Sequence, residues 1–188
     1  MKDDTREDIL KRLRSAVEML SAGMDVRLIP EVGSNIVYAL PGAKEVSDVA
    51  GVLGRIVRMA GRVHPVGDMA FGASDHMARA VLTAMRFDPG IRSAANIRFS
   101  EGILSILEGL MLEVRSFDRG REPAGIKTMD WGVAACCRDG VPDAIYDRGA
   151  MGKEPMIRLF GEDPVQVAEN IIKISTRIKD THIVAGTD

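Results

Sequence analysis

Residues 28–43 of this chain have the sequence LIPEVGSNIVYALPGA. Within this stretch, the run 35–40 is rich in β-branched and aromatic side chains, which predicts a strand, and Pro41 and Gly42 end it. The run 26–29 predicts a second, shorter strand before it. The loop between the two strands is polar, and such a loop can hold a ligand amide or phosphate but is more often only a turn. Its candidate binding residues are Gly33, Ser34 and Asn35.

Helical and strand patterns alternate along the rest of the chain. In residues 5–21 apolar side chains recur every three or four positions, Asp4 or Thr5 can cap the start, and Gly23 follows the end. Further helices are predicted to begin near residues 46, 74, 100, 129 and 163, and further strands at residues 55–59, 62–65, 97–99, 113–117, 143–147 and 156–160. This alternation predicts an α/β layered domain, although it does not give the direction of the strands.

The composition is that of a folded globular chain. It has 188 residues, of which 46% are hydrophobic and 28% charged, a balance that is unlike that of disordered proteins. A chain of this length fits one domain. We therefore interpret residues 1–188 as a single domain, with the helix of residues 1–22 packed on it and a frayed tail at residues 180–188.

Charge and cysteine content exclude several classes of protein. The formal net charge of −2 lacks the overall basic signature of a nucleic-acid-binding protein. No apolar stretch approaches the roughly 20 residues of a membrane span, and the N-terminus is charged, unlike a signal peptide. Cys136 and Cys137 are adjacent and cannot form a disulfide framework, which indicates the cytoplasm. The histidines His64, His76 and His182 lack metal-site spacing, so we expect no transition-metal site built by the protein.

The segment 149–153, GAMGK, lies between two predicted strands and directly follows Asp147 and Arg148. Its two glycines allow backbone N–H groups to converge on an anion, and its lysine adds a positive charge. The spacing differs from that of a nucleotide-binding P-loop, and a glutamate stands where the P-loop has serine or threonine. The segment therefore predicts either a phosphate-binding loop or a tight turn with solvated charges.

The segment 72–76, GASDH, leads into a predicted helix that Ser74 caps. His76 then lies in the first turn, where free N–H groups and the positive end of the helix dipole favour an anion. The dipole lowers the pKa of His76, whereas a bound phosphate opposes that shift. On the pattern alone, a single histidine at such a position is more often structural or exposed than functional.

Seven blocks of sequence carry a resemblance. They are residues 28–43; DVAG at 48–51 with GRIV at 54–57; FGASDH at 71–76; FDP at 87–89 with IRSA at 91–94; NIR at 96–98; SFDR at 116–119; and YDRG at 146–149 with GKEPMIR at 152–158. Together they resemble the ThiN-type thiamine-phosphate synthase family over residues 5–178. The first and last blocks are specific, whereas a short block such as SFDR means little alone. The chain departs from the family's pattern at Leu53, where proline is expected, and at Ala150, where a second glycine is expected.

The resemblance implies a fold and an activity. The implied fold is α/β, a three-layer α/β/α arrangement with a mixed sheet that is similar to class II aldolases. Those aldolases hold a metal with clustered histidines, which this chain lacks, so the likeness does not extend to aldolase chemistry. The implied reaction couples hydroxymethylpyrimidine diphosphate to hydroxyethylthiazole phosphate and gives thiamine phosphate and diphosphate.

The resemblance also implies site residues. The family's catalytic arginine and histidine correspond to Arg55, expected to neutralise the diphosphate, and His76, expected to donate a hydrogen bond to a phosphate or to orient the pyrimidine. The implied cofactor is Mg²⁺, carried by the diphosphate substrate and not by a site built from the protein, with Asp75 or Asp147 as water-mediated contacts. The further substrate- and phosphate-binding candidates are Gly33, Ser34, Asn35, Gly72, Ser74, Asp75, Asn96, Arg98, Asp118, Arg119, Asp147, Arg148, Gly149, Gly152 and Lys153.

Other functions stay open beside the enzyme. In one setting the family's domain follows a DNA-binding helix-turn-helix and acts as a thiamine-phosphate sensor without the catalytic pair. Both Arg55 and His76 are present here, and the stretch before residue 28 is too short for a helix-turn-helix, so we favour the enzyme and keep a non-catalytic sensor as the alternative. A third interpretation is the C-terminal domain of a fusion with hydroxymethylpyrimidine phosphate kinase. The expected partners are the phosphorylated pyrimidine and thiazole substrates and a second copy of the chain, with neither nucleic acid nor membrane.

Overall fold

The computed structural model describes residues 4–121, 123, 125 and 127–180. The α-helices are α1 (Arg6–Gly23), α2 (Asp75–Met85), α3 (Glu101–Gly109), α4 (Thr128–Cys136) and α5 (Pro164–Asp180). The strands are β1 (Ile36–Ala39), β2 (Val49–Val52), β3 (Ile56–Met59), β4 (Arg62–Pro65), β5 (Met69–Phe71), β6 (Ser93–Arg98), β7 (Val114–Ser116), β8 (Ala144–Asp147) and β9 (Met156–Gly161). The predicted tail after Lys179 lies almost entirely outside the described residues.

A mixed sheet forms the middle of the molecule. Seven strands lie in the order β5-β2-β1-β6-β9-β8-β7. Each neighbouring pair is antiparallel except β7 and β8, which are parallel. Strands β3 and β4 form a separate hairpin, which a bridge between Ser34 and Ile56 attaches to the loop before β1.

Helices cover both faces of the sheet because the strand side chains alternate. Tyr38 packs in a core with α1, α3 and α5, whereas its neighbours Val37 and Ala39 pack in a second core with α2 and α4. This alternation places the sheet between two helical layers. The structure thus confirms the three-layer α/β/α arrangement with a mixed sheet.

Helix α1 begins as its sequence predicts, with Thr5 as its cap, but it runs through Gly23, with Met24 as its C-cap, instead of ending before Gly23. The Thr5 side chain accepts the backbone N–H of Asp8, and the Asp8 side chain accepts the backbone N–H of Thr5, a reciprocal capping box. The buried stripe consists of Ile9, Leu13, Ala16, Val17 and Leu20. This stripe packs against α5 and the sheet. Within residues 4–180, none of the described helices is long and apolar enough to cross a membrane.

Two predicted elements are wrong in type. Residues Val26–Leu28 form a short 3₁₀ turn and not a strand, since the Asp25 side chain accepts the backbone N–H of Arg27 at 2.9 Å. The predicted helix at residues 46–50 is a 3₁₀ turn, Val46–Asp48, that leads directly into β2. Pairing with β1 draws Val49 into the sheet, so a long-range contact overrides the local pattern.

Candidate active site

A cavity of about 270 Å³ opens where several loops meet beside the sheet. Its wall combines the loop before β1, the start of the β3–β4 hairpin, the first turn of α2, one side chain of β6, a 3₁₀ turn and the loop before β9. The lining residues are Val32, Gly33, Ser34, Asn35, Arg55, Ser74, His76, Met77, Asn96, Arg119, Gly152, Lys153, Glu154 and Met156.

The structure brings together most, but not all, of the predicted site residues. Those that line the cavity are Gly33, Ser34, Asn35, Arg55, Ser74, His76, Asn96, Arg119, Gly152 and Lys153. Those that do not are Gly72, Asp75, Arg98, Asp118, Asp147, Arg148 and Gly149. The lining residues that sequence reasoning missed are Val32, Met77, Glu154 and Met156.

Arg55 reaches the cavity from a strained turn. Gly54 and Arg55 have φ values of 70° and 71°, the left-handed region that side chains other than glycine rarely adopt. The Arg55 guanidinium donates a hydrogen bond to the backbone carbonyl of Val32. The Arg55 side chain also packs against Gly33, where an added Cβ would lie 3.3 Å from Arg55 Cδ. The hairpin thus holds Arg55 against the loop before β1.

The two asparagines in the wall hold backbone in place. Asn35 Oδ1 accepts the Val52 N–H and Asn35 Nδ2 donates to the Val52 carbonyl, each at 2.9 Å. Asn96 Oδ1 accepts the Asn35 N–H at 2.7 Å, and Asn96 Nδ2 donates to the Gly33 carbonyl at 3.1 Å. Ser34 differs, because its buried Oγ has no hydrogen-bond partner among the described residues. A buried hydroxyl without a partner is costly, so Ser34 is suited to a ligand.

His76 lies in the first turn of α2, as the sequence predicts. The Ser74 side chain caps the helix by accepting the Met77 N–H at 3.4 Å. Although His76 is exposed at the cavity, the surrounding protein removes part of its hydration. This desolvation, followed by the positive charges of Arg158, Arg119 and Arg55, lowers the pKa of His76 to about 4, while Asp147 opposes the shift. His76 is therefore a neutral hydrogen-bonding group near pH 7.

A buried cluster of charges lies next to this histidine. Arg158, in β9, and Asp147, at the end of β8, are both fully buried, and Arg158 Nη1 lies 2.7 Å from Asp147 Oδ2. Arg119 Nε lies 2.7 Å from Asp147 Oδ1, as an ion pair whose alignment is poorer than that of a hydrogen bond. Asp147 thus holds Arg119 in the cavity wall.

The segment 149–153 is a tight turn attached to the same carboxylate. Gly149 N–H donates to Asp147 Oδ1 at 2.9 Å, and Ala150 and Lys153 exchange two backbone hydrogen bonds. These bonds occupy three of the segment's N–H groups. Of the two residues whose N–H groups they do not use, Met151 and Gly152, only Gly152 lines the cavity. Gly149 and Gly152 have positive φ and Ala150 does not, so alanine is tolerated there.

The carboxylates near the cavity do not fit a direct Mg²⁺ site. Both oxygens of Glu154 accept backbone N–H groups, those of Glu31 and Val32. Asp147 is buried among cations, and Asp75 pairs with Arg79 and Lys127. The described residues contain no cluster of three His, Cys, Asp or Glu side chains that could hold a metal ion.

Two other candidates have partners away from the cavity. Arg148 pairs with Glu101 and lies over the rings of Phe99 and Tyr146. Asp118 accepts the backbone N–H of Gly120 at 2.8 Å. Their predicted contact with substrate stays a prediction.

Comparison with known proteins identifies the family to which this chain belongs. The family described as thiamine-phosphate synthase ThiN matches residues 12–173. A thiamine-phosphate synthase ThiN of Methanothermobacter thermautotrophicus is 46% identical over 178 residues, which cover 90% of this chain and 94% of that protein. The bifunctional thiamine biosynthesis protein ThiDN of Methanocaldococcus jannaschii is 44% identical over 169 residues, 88% of this chain. The chain spans only 40% of the length of that bifunctional protein.

Solved structures match the fold. The crystal structure of a C-terminal domain of phosphomethylpyrimidine kinase is 45% identical, with a TM-score of 0.85, and the match covers 90% of this chain and all of that one. A more distant match, l-fuculose-1-phosphate aldolase of Thermus thermophilus, has a TM-score of 0.50 at 14% identity and covers 97% of this chain and 100% of that one. An aldolase II superfamily protein of Pseudomonas syringae also has a TM-score of 0.50, at 10% identity over 97% of this chain and 78% of that one. These matches confirm the class II aldolase-like fold and concern the fold alone.

Proposed function

The chain belongs to the thiamine-phosphate synthase ThiN family, and on that premise we propose that its cavity joins hydroxymethylpyrimidine diphosphate to hydroxyethylthiazole phosphate. The protein is then a transferase. Neither named relative is described as a sensor. One observation carries the proposal: Arg55, Arg119, Lys153 and a neutral His76 line the same cavity.

The reaction needs cations at one end of the cavity. The bond between the pyrimidine methylene carbon and the diphosphate oxygen breaks, and its electron pair leaves with the diphosphate. A bond then forms from that carbon to the thiazole nitrogen, which becomes a thiazolium cation without loss of a proton. Negative charge accumulates on the diphosphate, so fixed cations beside it lower the barrier. Arg55 and Arg119 fit this role, with Lys153 on the neighbouring turn.

His76 has a different task. Because its pKa is lowered to about 4, it is neutral near pH 7 and can donate one N–H to a phosphate oxygen or to the pyrimidine. The neutral His76 ring adds no positive charge to the cavity when no substrate is bound. The N-terminal end of α2 lines the cavity, so the positive end of the helix dipole also lies at the site.

The rest of the wall suits flat heterocycles. Val32, Met77 and Met156 supply apolar surface, and Met side chains adapt well to aromatic rings. The buried Ser34 hydroxyl provides a polar group that can orient a ring nitrogen or amine. Positioning the two rings in line accounts for the remaining part of the catalysis.

We place the Mg²⁺ on the substrate. The carboxylates of Glu154 and Asp147 are already engaged by N–H groups and guanidinium groups, so they do not fit as metal ligands. Diphosphate oxygens and water can supply the oxygen ligands that Mg²⁺ prefers. The protein's own contribution is then the cationic wall.

Product formation tests the proposal. Purified protein receives both substrates and Mg²⁺, and thiamine phosphate is measured for wild type, Arg55→Ala and His76→Ala. We expect losses of about 100-fold or more in kcat for each variant, which is typical for removal of one preorganised transition-state contact. Matched controls are Arg58→Ala and His64→Ala, exposed residues of the same types on the β3–β4 hairpin outside the cavity, which keep turnover. Tight binding of thiamine phosphate without turnover by wild type would overturn the proposal in favour of a sensor.

The assembly of the protein is a further proposal. Relatives carry this domain in two settings, one almost as a whole protein and one within a longer bifunctional protein. A linked kinase that phosphorylates the pyrimidine phosphate would form the diphosphate substrate of the proposed reaction. Homodimer formation and a cytoplasmic location stay predictions from the sequence.

A further inference from the structure

Arg158 is fully buried in the sheet, and its side chain is connected to the cavity wall through the carboxylate of Asp147. It lies in the middle of β9, opposite Asn96 of β6 on one side and Ile145 of β8 on the other. Its Nη1 lies 2.7 Å from Asp147 Oδ2. The other oxygen of Asp147 lies 2.7 Å from Arg119 Nε and 2.9 Å from the Gly149 N–H. One carboxylate therefore connects a buried strand arginine to two parts of the cavity wall.

The charges of Arg158, Arg119 and Asp147 do not cancel one another. Two guanidinium groups share one carboxylate, which leaves one positive charge in the protein interior. Arg158 Nε and Nη2 have no hydrogen-bond partner among the described residues, and the Phe117 ring lies 5.7 Å from Arg158 Cζ. Burying an excess charge is costly, so packing of the core alone does not explain a second guanidinium group beside one carboxylate. The excess charge complements an anion that binds in the adjoining cavity.

We propose that Arg158 is a positioning residue for the synthase reaction: it fixes Asp147, which holds Arg119 and the 149–153 turn in the cavity wall, and its excess positive charge favours binding of a diphosphate there. The proposal rests on the proposed function for the identity of the reaction. The anion preference itself depends only on the buried charges and their contacts.

His76 provides an independent readout. The groups that act on its pKa, besides burial, are Arg158 on β9, Arg119 on the 3₁₀ turn Arg119–Arg121, Arg55 before β3 and Asp147 on β8. The three arginines lower the pKa and Asp147 raises it. Removing Arg158 should therefore raise the pKa of His76, which reports the loss of the Arg158 charge beside the cavity separately from turnover.

The variant Arg158→Met tests the proposal, because it leaves Asp147 paired with Arg119 and places an apolar chain in the core. Affinity for inorganic pyrophosphate is measured by calorimetry, the His76 titration by NMR, and kcat and KM by product formation. We expect pyrophosphate affinity to fall about 10-fold, as for one charge–charge coupling at an interface. The His76 midpoint should rise, and KM for the diphosphate substrate should increase more than kcat falls. The matched control is Arg115→Met. Arg115 is a strand arginine of β7 that pairs with Glu113 and donates to the backbone carbonyls of residues 136, 139 and 140, outside the cavity lining. Its removal should lower stability but leave all three quantities unchanged.

Each outcome decides the question. A folded Arg158→Met protein with wild-type pyrophosphate affinity and His76 titration overturns the proposal. If Arg158→Met fails to fold, Arg158→Lys is the deciding variant, because lysine keeps the positive charge but does not reach Asp147. Weaker pyrophosphate binding by Arg158→Lys supports the positioning role. Wild-type affinity and turnover contradict it. If wild type makes no thiamine phosphate but Arg158→Met still weakens pyrophosphate binding, the synthase reaction is overturned as the role of this site, and only the preference of the cavity for an anion stands.

Discussion

The carboxylate of Glu154 accepts the backbone N–H of Val32 at 3.2 Å, across 122 residues of sequence. Its other oxygen accepts the N–H of Glu31 at 2.9 Å. The Val32 carbonyl in turn accepts a hydrogen bond from Arg55. Glu154 therefore joins the loop before β9 to the loop before β1, and through Val32 it fixes the wall against which Arg55 lies.

Glu154→Gln should weaken this connection while preserving side-chain length. The amide has only one acceptor oxygen, so one of the two backbone N–H groups faces an NH₂ donor. We expect the free energy of unfolding to fall by about 1 kcal/mol, the usual effect of one hydrogen bond, and KM to rise for at least one substrate. Urea unfolding and steady-state kinetics measure the two effects. Glu108→Gln, an exposed change on α3, is the control, and identical behaviour of both variants would contradict the role of Glu154.

The sequence predicts those site residues whose position depends on a local pattern. Ser74 caps α2, so the place of His76 in the first turn follows from neighbouring residues alone. Arg55 was found only through the family resemblance, because its positive φ and its contact with Val32 depend on the hairpin.

Glu154 and Arg158 act through contacts that no local pattern shows. Glu154 accepts hydrogen bonds from backbone groups more than 120 residues away, and the sequence alone gives it no role beyond its place in the block 152–158 and its departure from the P-loop pattern. Arg158 did leave a signal, since it is the one charged residue in the apolar strand Met156–Gly161. A charge in a fully buried strand requires a partner, which is Asp147 here.

The lowered pKa of His76 predicts how its protonation affects stability. In the unfolded chain His76 titrates near 6.5, whereas in the folded protein its pKa is about 4. Between these values the unfolded state binds more protons, so the stability contributed by the neutral ring is complete above pH 6.5 and is lost as the pH falls towards 4. We expect His76→Gln to lose less stability than wild type between pH 7 and pH 5, as measured by urea unfolding at both pH values. Equal losses would show that the ring keeps its ordinary pKa in the folded protein.

If the substrate carries the Mg²⁺, the melting temperature of the protein should respond to Mg²⁺ only when a diphosphate is also present. The carboxylates of Asp147 and Glu154 are engaged within the protein, so Mg²⁺ alone should leave the Tm of the free protein unchanged. Mg²⁺ together with inorganic pyrophosphate should raise the Tm more than pyrophosphate alone, because a ligand bound only by the folded state stabilises it. Differential scanning fluorimetry at constant ionic strength measures both. A Tm rise with Mg²⁺ alone at millimolar concentration would indicate a site built by the protein.

Alanine substitutions at the two glycines of the 149–153 turn distinguish the free-energy cost of a steric clash from that of a strained backbone. Gly149 and Gly152 have φ values of 74° and 70°, so alanine at either position costs about 1 kcal/mol from the left-handed backbone. A Cβ on Gly149 would also lie 2.5 Å from the Lys153 carbonyl oxygen and 2.9 Å from the Pro155 nitrogen, whereas one on Gly152 would meet nothing within 4 Å.

Gly149→Ala must therefore displace the turn, and with it the N–H that Gly149 donates to Asp147. We expect Gly152→Ala to lose about 1 kcal/mol of stability and Gly149→Ala to lose at least about 2 kcal/mol, with a larger rise in KM for the diphosphate substrate. Urea unfolding and kinetics on the matched pair check this. Equal losses of stability and equal KM values in the two variants would mean that the Gly149 contact with Asp147 does not hold the turn in the cavity wall.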